Sequence, residues 1–210
     1  MEHSTEILYN RTRVYCSAVH RFGSDALLLA RFSEPKRAWR AADLCSGCGI
    51  VSLEWHDRGH RGPCLGLELQ PEASALLAAA CAEQGIAHIT PVCADLRSFR
   101  EGEGSYDLCA CNPPYFTAGE QAADRARATA RHETDCTLDD VCKCAFRLLK
   151  DGGRLSLCAS SWLPRRTAPP RRPRCLMCPK DRRSVRPACS PSKKVTWLGE
   201  GGLWIQYTVK

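Results

Sequence analysis

The sequence predicts an α/β fold: a mostly parallel twisted sheet with helices on both faces and a C-terminal antiparallel hairpin. Short apolar runs typical of buried strands alternate with longer helical stretches, and four of these runs lie at residues 40–44, 64–68, 89–95 and 106–111. Strands that alternate with helices pair in parallel, because each crossover helix returns the chain to the same edge of the sheet. The chain has 210 residues, enough to bury a sizeable core in one α/β domain.

The first strand leads into a glycine-containing turn, Cys-Ser-Gly-Cys-Gly, at residues 45–49. Gly47 and Gly49 permit close approach of the backbone to a ligand, and the amides that open the following helix can meet a carboxylate or phosphate. The dinucleotide-binding fingerprint requires a third glycine three residues after the second, where this chain has Ser52. The turn therefore indicates a nucleotide-type ligand other than a nicotinamide cofactor.

The second and third strands each end in an acid, Glu68 and Asp95. Glu68 follows Gly49 by 19 residues, where a carboxylate that binds ribose hydroxyls is expected. Between these strands, residues 72–82 are rich in alanine and leucine and predict a helix that packs on the sheet. We therefore expect the ligand at the carboxyl ends of these strands.

The fourth strand is followed by Asn112, Pro113, Pro114 and Tyr115. The two prolines fix φ and lack N–H donors, so the segment is rigid and non-helical. An adenine amine or a carboxamide nitrogen is a weak nucleophile, and acceptors placed at its hydrogens stabilise the charge that develops during attack. The Asn112 side-chain oxygen and the Pro113 carbonyl are candidate acceptors, and Tyr115 can stack on the ring. The alternative interpretation is a proline-rich turn with a surface tyrosine.

Taken in order, these motifs resemble the class I S-adenosylmethionine-dependent methyltransferases, and the resemblance covers roughly residues 18–158. It implies their Rossmann-like fold, with Glu68 on the cofactor ribose and Asp95 on its adenine. Cys45 stands where many members have glycine. The cofactor residues implied are Phe22, Asp25, Asp43, Cys45, Gly47, Gly49, Glu68, Asp95 and Asn112. The catalytic residues implied are Asn112, Pro113, Pro114 and Tyr115, with direct attack of the amine on the methyl group.

Flanking segments resemble the bacterial tRNA adenine-N6 methyltransferases that modify a valine tRNA beside its anticodon. The similar segments are residues 21–32, 130–133 and 147–155. This resemblance implies tRNA as the partner and implies that residues 22–25 close over the cofactor. It also implies substrate contacts by Tyr115, Phe116, Arg131 and His132. No general base is required, because the amine loses its proton only after methyl transfer, so His132 and Glu133 need not act as acid and base.

Three alternatives share parts of this pattern. Protein glutamine methyltransferases that act on release factors also carry Asn-Pro-Pro-Tyr, but they resemble the chain only after a separate helical domain, and here about forty residues precede Asp43. DNA adenine methyltransferases usually add a sizeable target-recognition domain, for which no segment is visible. A catalytically idle relative that binds nucleic acid is the third, and failure to bind the cofactor would favour it.

The positive charge of the chain is concentrated in residues 160–194, which hold 11 Lys/Arg and one acid, while the remaining residues hold 19 basic and 22 acidic side chains. This segment also contains seven of the 13 prolines, so it is predicted to be extended or disordered and to attract phosphate backbones. The predicted organisation is a methyltransferase core at 1–159, the basic segment at 160–194 and terminal strands at 195–210. A solvated linker without a specific partner is the alternative for the basic segment.

The family continues after residue 155 with an amphipathic helix, whereas residues 161–192 show no apolar stripe at helical spacing. We therefore hypothesise that this region is divergent or carries an altered reading frame. Residues 194–198 and 203–209 again read as strands, with a glycine-rich hairpin turn between them.

The 15 cysteines are an odd number, and no secretory signal is visible, so a complete disulfide framework is not expected. Several are predicted to be small buried hydrophobes: Cys109, Cys111 and Cys158 in predicted strands, and Cys81 and Cys142 in predicted helices. Cys45 and Cys48 have metal-ligand spacing inside the glycine turn, and Cys175, Cys178 and Cys189 are a further zinc candidate, but no metal is predicted. No run approaches the ~18 apolar residues of a membrane span. A cytoplasmic protein is expected, with a monomer compatible with the sequence.

Overall fold

The computed structural model describes residues 3–113, 136–158, 192–198 and 202–208. The strands are β1 Ser4–Ile7, β2 Arg13–Cys16, β3 Ala41–Leu44, β4 Cys64–Glu68, β5 Ile89–Cys93, β6 Tyr106–Cys111, β7 Leu149–Cys158, β8 Ser192–Leu198 and β9 Gly202–Thr208. The helices are α1 Ser24–Ser33, α2 Ile50–Asp57, α3 Pro71–Glu83 and α4 Leu138–Leu148. The helix predicted at 72–82 is therefore confirmed as α3, which Pro71 opens at a position where a missing N–H costs nothing.

Seven strands form the main sheet in the order β5-β4-β3-β6-β7-β9-β8. The five strands from β3 to β7 pair in parallel, which confirms the predicted fold class. Strand β9 runs antiparallel to both β7 and β8. Strand β8 begins at Ser192, three residues before the predicted boundary at 195, and the turn predicted between β8 and β9 lies outside the described residues. The rest of the basic segment, residues 160–191, also lies outside them.

The central parallel strands β3, β4 and β6 are buried on both faces, because a hydrophobic cluster lies on each side of the sheet. Alternate residues of β6 enter different clusters: Leu108 and Ala110 pack with α1, α2 and α3, whereas Cys109 and Cys111 pack with α4. This alternation is the two-residue period of a strand. It explains why the strand sequences read as continuous apolar runs.

The chain changes direction of travel across the sheet at β3. From β3 it proceeds outward through β4 to β5, then returns to place β6 on the other side of β3. Ligands of open α/β sheets bind outside the carboxyl ends of the strands at such a switch point. The loops after β3, β4, β5 and β6 therefore meet at one edge, with the segment before α1 beside them.

An N-terminal pair of strands lies outside the main sheet and was not predicted from the sequence. Strands β1 and β2 pair antiparallel, and their connecting turn is tied to the end of α2. The Asp57 carboxylate accepts hydrogen bonds from the backbone N–H of Asn10 at 2.8 Å and of Thr12 at 3.0 Å. The Asn10 side chain donates to the Asp57 carbonyl oxygen at 2.9 Å.

Cysteines fill core positions, as predicted. The described cysteines are free thiols, and those expected in strands and helices are buried: Cys81, Cys109, Cys111, Cys142 and Cys158. Cys175, Cys178 and Cys189 lie outside the described residues. Among the residues that the structure describes, no helix is long and apolar enough to cross a membrane.

Candidate active site

A cavity of about 430 Å³ opens at the carboxyl ends of the parallel strands. Its walls come from the loops after β3, β4, β5 and β6, from the segment that leads into α1, and from Cys136 before α4. The predicted site residues that line it are Phe22, Asp25, Asp43, Cys45, Gly47, Glu68, Asp95, Asn112 and Pro113. Gly49 is not among the lining residues. The structure thus brings together most of the site residues proposed from the sequence that lie within its described ranges.

The turn after β3 repeatedly enters the left-handed region of backbone space. Cys45 has φ 57°, Gly47 has φ 55° and Gly49 has φ 82°. A residue with a side chain is strained at such angles, so Cys45 occupies a position that suits glycine, as its alignment with the family motif implied. Gly49 instead packs behind the turn, where an added Cβ would lie 2.9 Å from Leu77 Cγ.

Glu68 is 8% exposed, and backbone amides bind both oxygens of its carboxylate. Gly47 N–H donates to Oε2 at 2.8 Å, and Gln70 N–H donates to Oε1 at 2.9 Å. The Gly47 amide, in the turn that the sequence places near the ligand, thus points at Glu68. Each carboxylate oxygen can accept more than one hydrogen bond, so Glu68 can still receive two adjacent hydroxyls.

Asp95 is held by Arg97, a cavity-lining residue that sequence reasoning missed. Arg97 Nε donates to both carboxylate oxygens of Asp95, at 3.0 and 2.8 Å, and its backbone N–H donates at 2.8 Å. The Arg97 hydrogen bonds lower the pKa of Asp95, so this carboxylate is ionised at neutral pH. The only signal in the sequence was an arginine two residues after the acid.

Asp43 is the next-to-last residue of β3 and is almost completely buried, with 1% of its surface exposed. Burial raises the pKa of Asp43 to about 7. The backbone N–H of Ser52 donates to it at 3.1 Å, and the Ser52 hydroxyl donates to the Gly49 carbonyl oxygen at 3.0 Å. Ser52 occupies the position of the third glycine in the dinucleotide fingerprint, and here it supports both the turn and Asp43.

Ser46 also lines the cavity and was not singled out from the sequence. Its hydroxyl oxygen is buried and has no hydrogen-bond partner among the residues described here. Buried polar atoms are nearly always satisfied, so such a hydroxyl beside a cavity indicates a polar ligand. A small polar ligand with hydroxyls or a carboxylate fits this wall of the cavity.

Asn112 follows β6 and is oriented from across the cavity. Its side-chain Nδ2 donates to Asp25 Oδ2 at 2.9 Å, over 87 positions in sequence. Pro113 is buried and lines the cavity next to it. Pro114, Tyr115, Phe116, Arg131, His132 and Glu133 lie outside the described residues, so their predicted roles stay predictions.

The two cysteines of the turn point to different neighbours. The Cys45 thiol is in hydrogen-bond contact with the Cys111 and Cys136 thiols, whereas the Cys48 thiol contacts Cys16. Burial raises the pKa of Cys48 to about 12, so that thiol stays protonated at neutral pH. Over residues 3–113 and 136–158 with the two final strands, no group of three or more His, Cys, Asp or Glu side chains could hold a metal ion.

The chain is similar to known proteins both in sequence and in fold. Two curated relatives are 30% identical over 136 residues (Yersinia enterocolitica) and 34% identical over 139 residues (Dickeya chrysanthemi); both are named tRNA1(Val) (adenine(37)-N6)-methyltransferase. The matches cover 63% and 64% of this chain. The chain spans about half the length of these relatives, 54% in both cases.

Two solved structures share the fold. The putative methyltransferase yhhF from Escherichia coli superposes with a TM-score of 0.63 at 13% identity, covering 99% of each chain. TrmN from Thermus thermophilus superposes with a TM-score of 0.55 at 20% identity, covering 88% of this chain and 48% of the other. The model of one protein family, the methyltransferase small domain, matches residues 6–169. These findings confirm the methyltransferase resemblance inferred from the motifs, and the chain belongs to the methyltransferase small domain family.

Proposed function

We propose that this protein transfers a methyl group from S-adenosylmethionine to N6 of an adenine in tRNA, with the anticodon-loop adenine of a valine tRNA as the expected target. The cofactor of this methyltransferase is S-adenosylmethionine. One observation carries the proposal: Asn112 and Pro113 line the same cavity as Asp43, Glu68 and Asp95. The names of the relatives support tRNA as the substrate, although the chain spans about half of their length.

The proposed contacts with the cofactor come from residues that line the cavity. Glu68 presents a buried carboxylate for the two ribose hydroxyls, and Ser46 presents a hydroxyl without a described partner. Asp95 is positioned to accept a hydrogen bond from the adenine amine in addition to those from Arg97. Asp43 supplies negative charge to a ligand whose sulfonium and ammonium groups are cationic. When bound, the cofactor supplies an electrophilic methyl group.

The chemistry assigned to the protein is positioning of the acceptor amine. Asn112 Oδ1 and the Pro113 carbonyl oxygen accept its two hydrogens, which draws the nitrogen lone pair out of conjugation with the ring. Holding the amine in line with the methyl group can lower the activation free energy by up to ~7–11 kcal/mol. The proton leaves after the methyl group has been transferred, so no strong base is needed. Stacking of the target adenine on Tyr115 is part of the proposal.

We propose that the basic segment at 160–194 adds affinity for the phosphate backbone of tRNA. With 11 Lys/Arg and one acid, it would bind in a sequence-independent and salt-dependent manner. The negative remainder of the chain, with 19 basic and 22 acidic residues, makes this segment the source of the overall charge of +7.

The first test is transfer of a labelled methyl group from S-adenosylmethionine to unmodified bulk tRNA and, separately, to a release factor. We expect label in tRNA that nucleoside analysis identifies as N6-methyladenosine. Label in the release factor alone would overturn the proposal in favour of glutamine methylation. A glutamine carboxamide needs the same two hydrogen-bond acceptors as the adenine amine. A chain that binds tRNA but not the cofactor would be the catalytically idle relative.

The raised pKa of Asp43 predicts a pH dependence of cofactor affinity. Below about pH 7 the carboxyl is protonated in the free protein, so binding a cationic ligand must expel a proton. Affinity should therefore rise with pH, by at most about tenfold per unit, and level off above about pH 7. Calorimetric titration between pH 5 and 8 measures this slope.

The control for this dependence is the variant Asp43→Asn, which should bind more weakly at pH 8 and lose the slope. Asp107→Asn should retain the slope, because Asp107 does not line the cavity. Its carboxylate accepts a hydrogen bond of 2.8 Å from the Arg40 backbone N–H. An unchanged slope in Asp43→Asn would show that another group titrates.

A further inference from the structure

Asp25 faces Asn112 across the cavity, although sequence reasoning assigned it to the cofactor. The hydrogen bond from Asn112 Nδ2 to Asp25 Oδ2 measures 2.9 Å. A carboxylate only accepts hydrogen bonds, so the group that faces it must be the NH2 of the carboxamide. The contact therefore fixes which way round the amide lies, and it turns Oδ1 to the opposite side.

Gly23 makes the space that this carboxylate occupies. A Cβ built on Gly23 would overlap Asp25 Oδ1. The backbone of Gly23 is extended, with φ −101° and ψ 175°, which any residue can adopt. The glycine is thus needed for room rather than for backbone conformation. Asp25 lies in the first turn of α1, where the helix dipole favours a negative charge.

We infer that Asp25 is a positioning residue for Asn112, held in place through the gap left by Gly23; this inference rests on the proposed function. A carboxamide rotated by half a turn would present NH2 to the acceptor amine, so two donors would meet. The Asp25 contact disfavours that rotation and holds Oδ1 on the side of the amide that faces away from Asp25. The negative charge of Asp25 also increases the electron density on Asn112 Oδ1 and stabilises the positive charge that develops on the acceptor nitrogen.

The contact can be observed without catalysis, because Asn10 and Asn112 are the only asparagines in the chain. Protein labelled with ¹⁵N-asparagine should show two side-chain NH2 pairs, and the variant Asn112→Ala identifies one of them. We expect Asp25→Ala to shift the Asn112 pair while the Asn10 pair, which donates to Asp57, stays in place. A shift of both pairs together with a large loss of thermal stability would indicate a structural role and overturn the inference.

Kinetics then separate positioning from cofactor binding. Asp25→Ala should lower kcat by about 10- to 100-fold and leave the Kd for S-adenosylmethionine nearly unchanged. Gly23→Ala should have the same effect in milder form, because the added methyl displaces a flexible carboxylate rather than backbone. Asp25→Asn, which can still accept from Asn112, should keep more activity than Asp25→Ala. Asp139→Ala is the matched control, because Asp139 is an exposed acid in the first turn of α4 that does not line the cavity, and this variant should behave as the parent.

Two results would count against Asp25 as a positioning residue. A weakened Kd with an unmoved Asn112 signal would return Asp25 to the cofactor. Unchanged kcat in both Asp25→Ala and Gly23→Ala would also overturn the inference. If the parent protein does not methylate tRNA but the Asn112 signal still responds to Asp25, the contact is supported and only the substrate proposal fails.

Discussion

Replacing Asn112 with alanine is expected to reduce kcat by about 10³-fold or more while the Kd for S-adenosylmethionine stays nearly unchanged. The substitution removes the side-chain oxygen that accepts from the acceptor amine, so the nitrogen keeps its lone pair in the ring. Asp43, Glu68 and Ser46, which we assign to the cofactor, are untouched. Single-turnover methyl transfer and calorimetric binding, measured on the same preparation, test both halves of this prediction.

Asn10→Ala provides a matched control, since it is the one other asparagine-to-alanine change that the chain allows. Asn10 donates to Asp57 at the end of α2, away from the cavity, so transfer should persist even if stability falls. Equal loss of transfer and cofactor binding in Asn112→Ala would show that Asn112 supports the shape of the site. Retained transfer would show that the Pro113 carbonyl oxygen alone activates the amine.

The sequence predicted the sheet and the edge of the sheet at which the site lies, because both depend on local patterns. Apolar runs that alternate with helices leave a parallel arrangement as the simplest outcome, and acids at strand ends must then gather at one edge. Glu68, Asp95 and Asn112 could be named in this way without knowing any contact. The N-terminal strands β1 and β2 escaped the same reasoning, because they are short and β1 is exposed throughout.

Two of the partners of the site residues could not be predicted, because they depend on how distant segments pack. The bond from Asn112 to Asp25 spans 87 positions, and the bond from Gly47 to Glu68 spans 21. Gly49, which the glycine-turn motif places near the ligand, is not among the cavity-lining residues, and its own packing partner is the distant Leu77. The identity of a residue constrains what it can do, whereas its neighbours decide which of those roles it performs.

Gly49→Ala is expected to have the largest effect on stability, lowering the free energy of unfolding by about 3 kcal/mol. The new methyl group would be strained at φ 82° and would overlap Leu77, which is fully buried. Leu77 has little room to retreat, because it is fully buried and its Cδ2 occupies the space beside Gly66 that the missing side chain leaves. For a chain of this length the melting temperature should fall by about 10 °C. Cofactor affinity should fall as well, because the turn carries Cys45 and Gly47.

Gly85→Ala separates the backbone strain from the overlap with Leu77. Gly85 also has a positive φ, 65°, but an added Cβ there would meet nothing within 4 Å. This control should cost only about 1 kcal/mol, the strain of one left-handed residue. The double variant Gly49→Ala with Leu77→Ala should lose less stability than the sum of the two single changes. Leu77→Ala removes the side chain that the new methyl group would overlap, and the methyl group fills part of the cavity that Leu77→Ala leaves. Additive losses would mean that the turn moves away from Leu77. Thermal unfolding of the parent, the two single variants and the double variant decides between these outcomes.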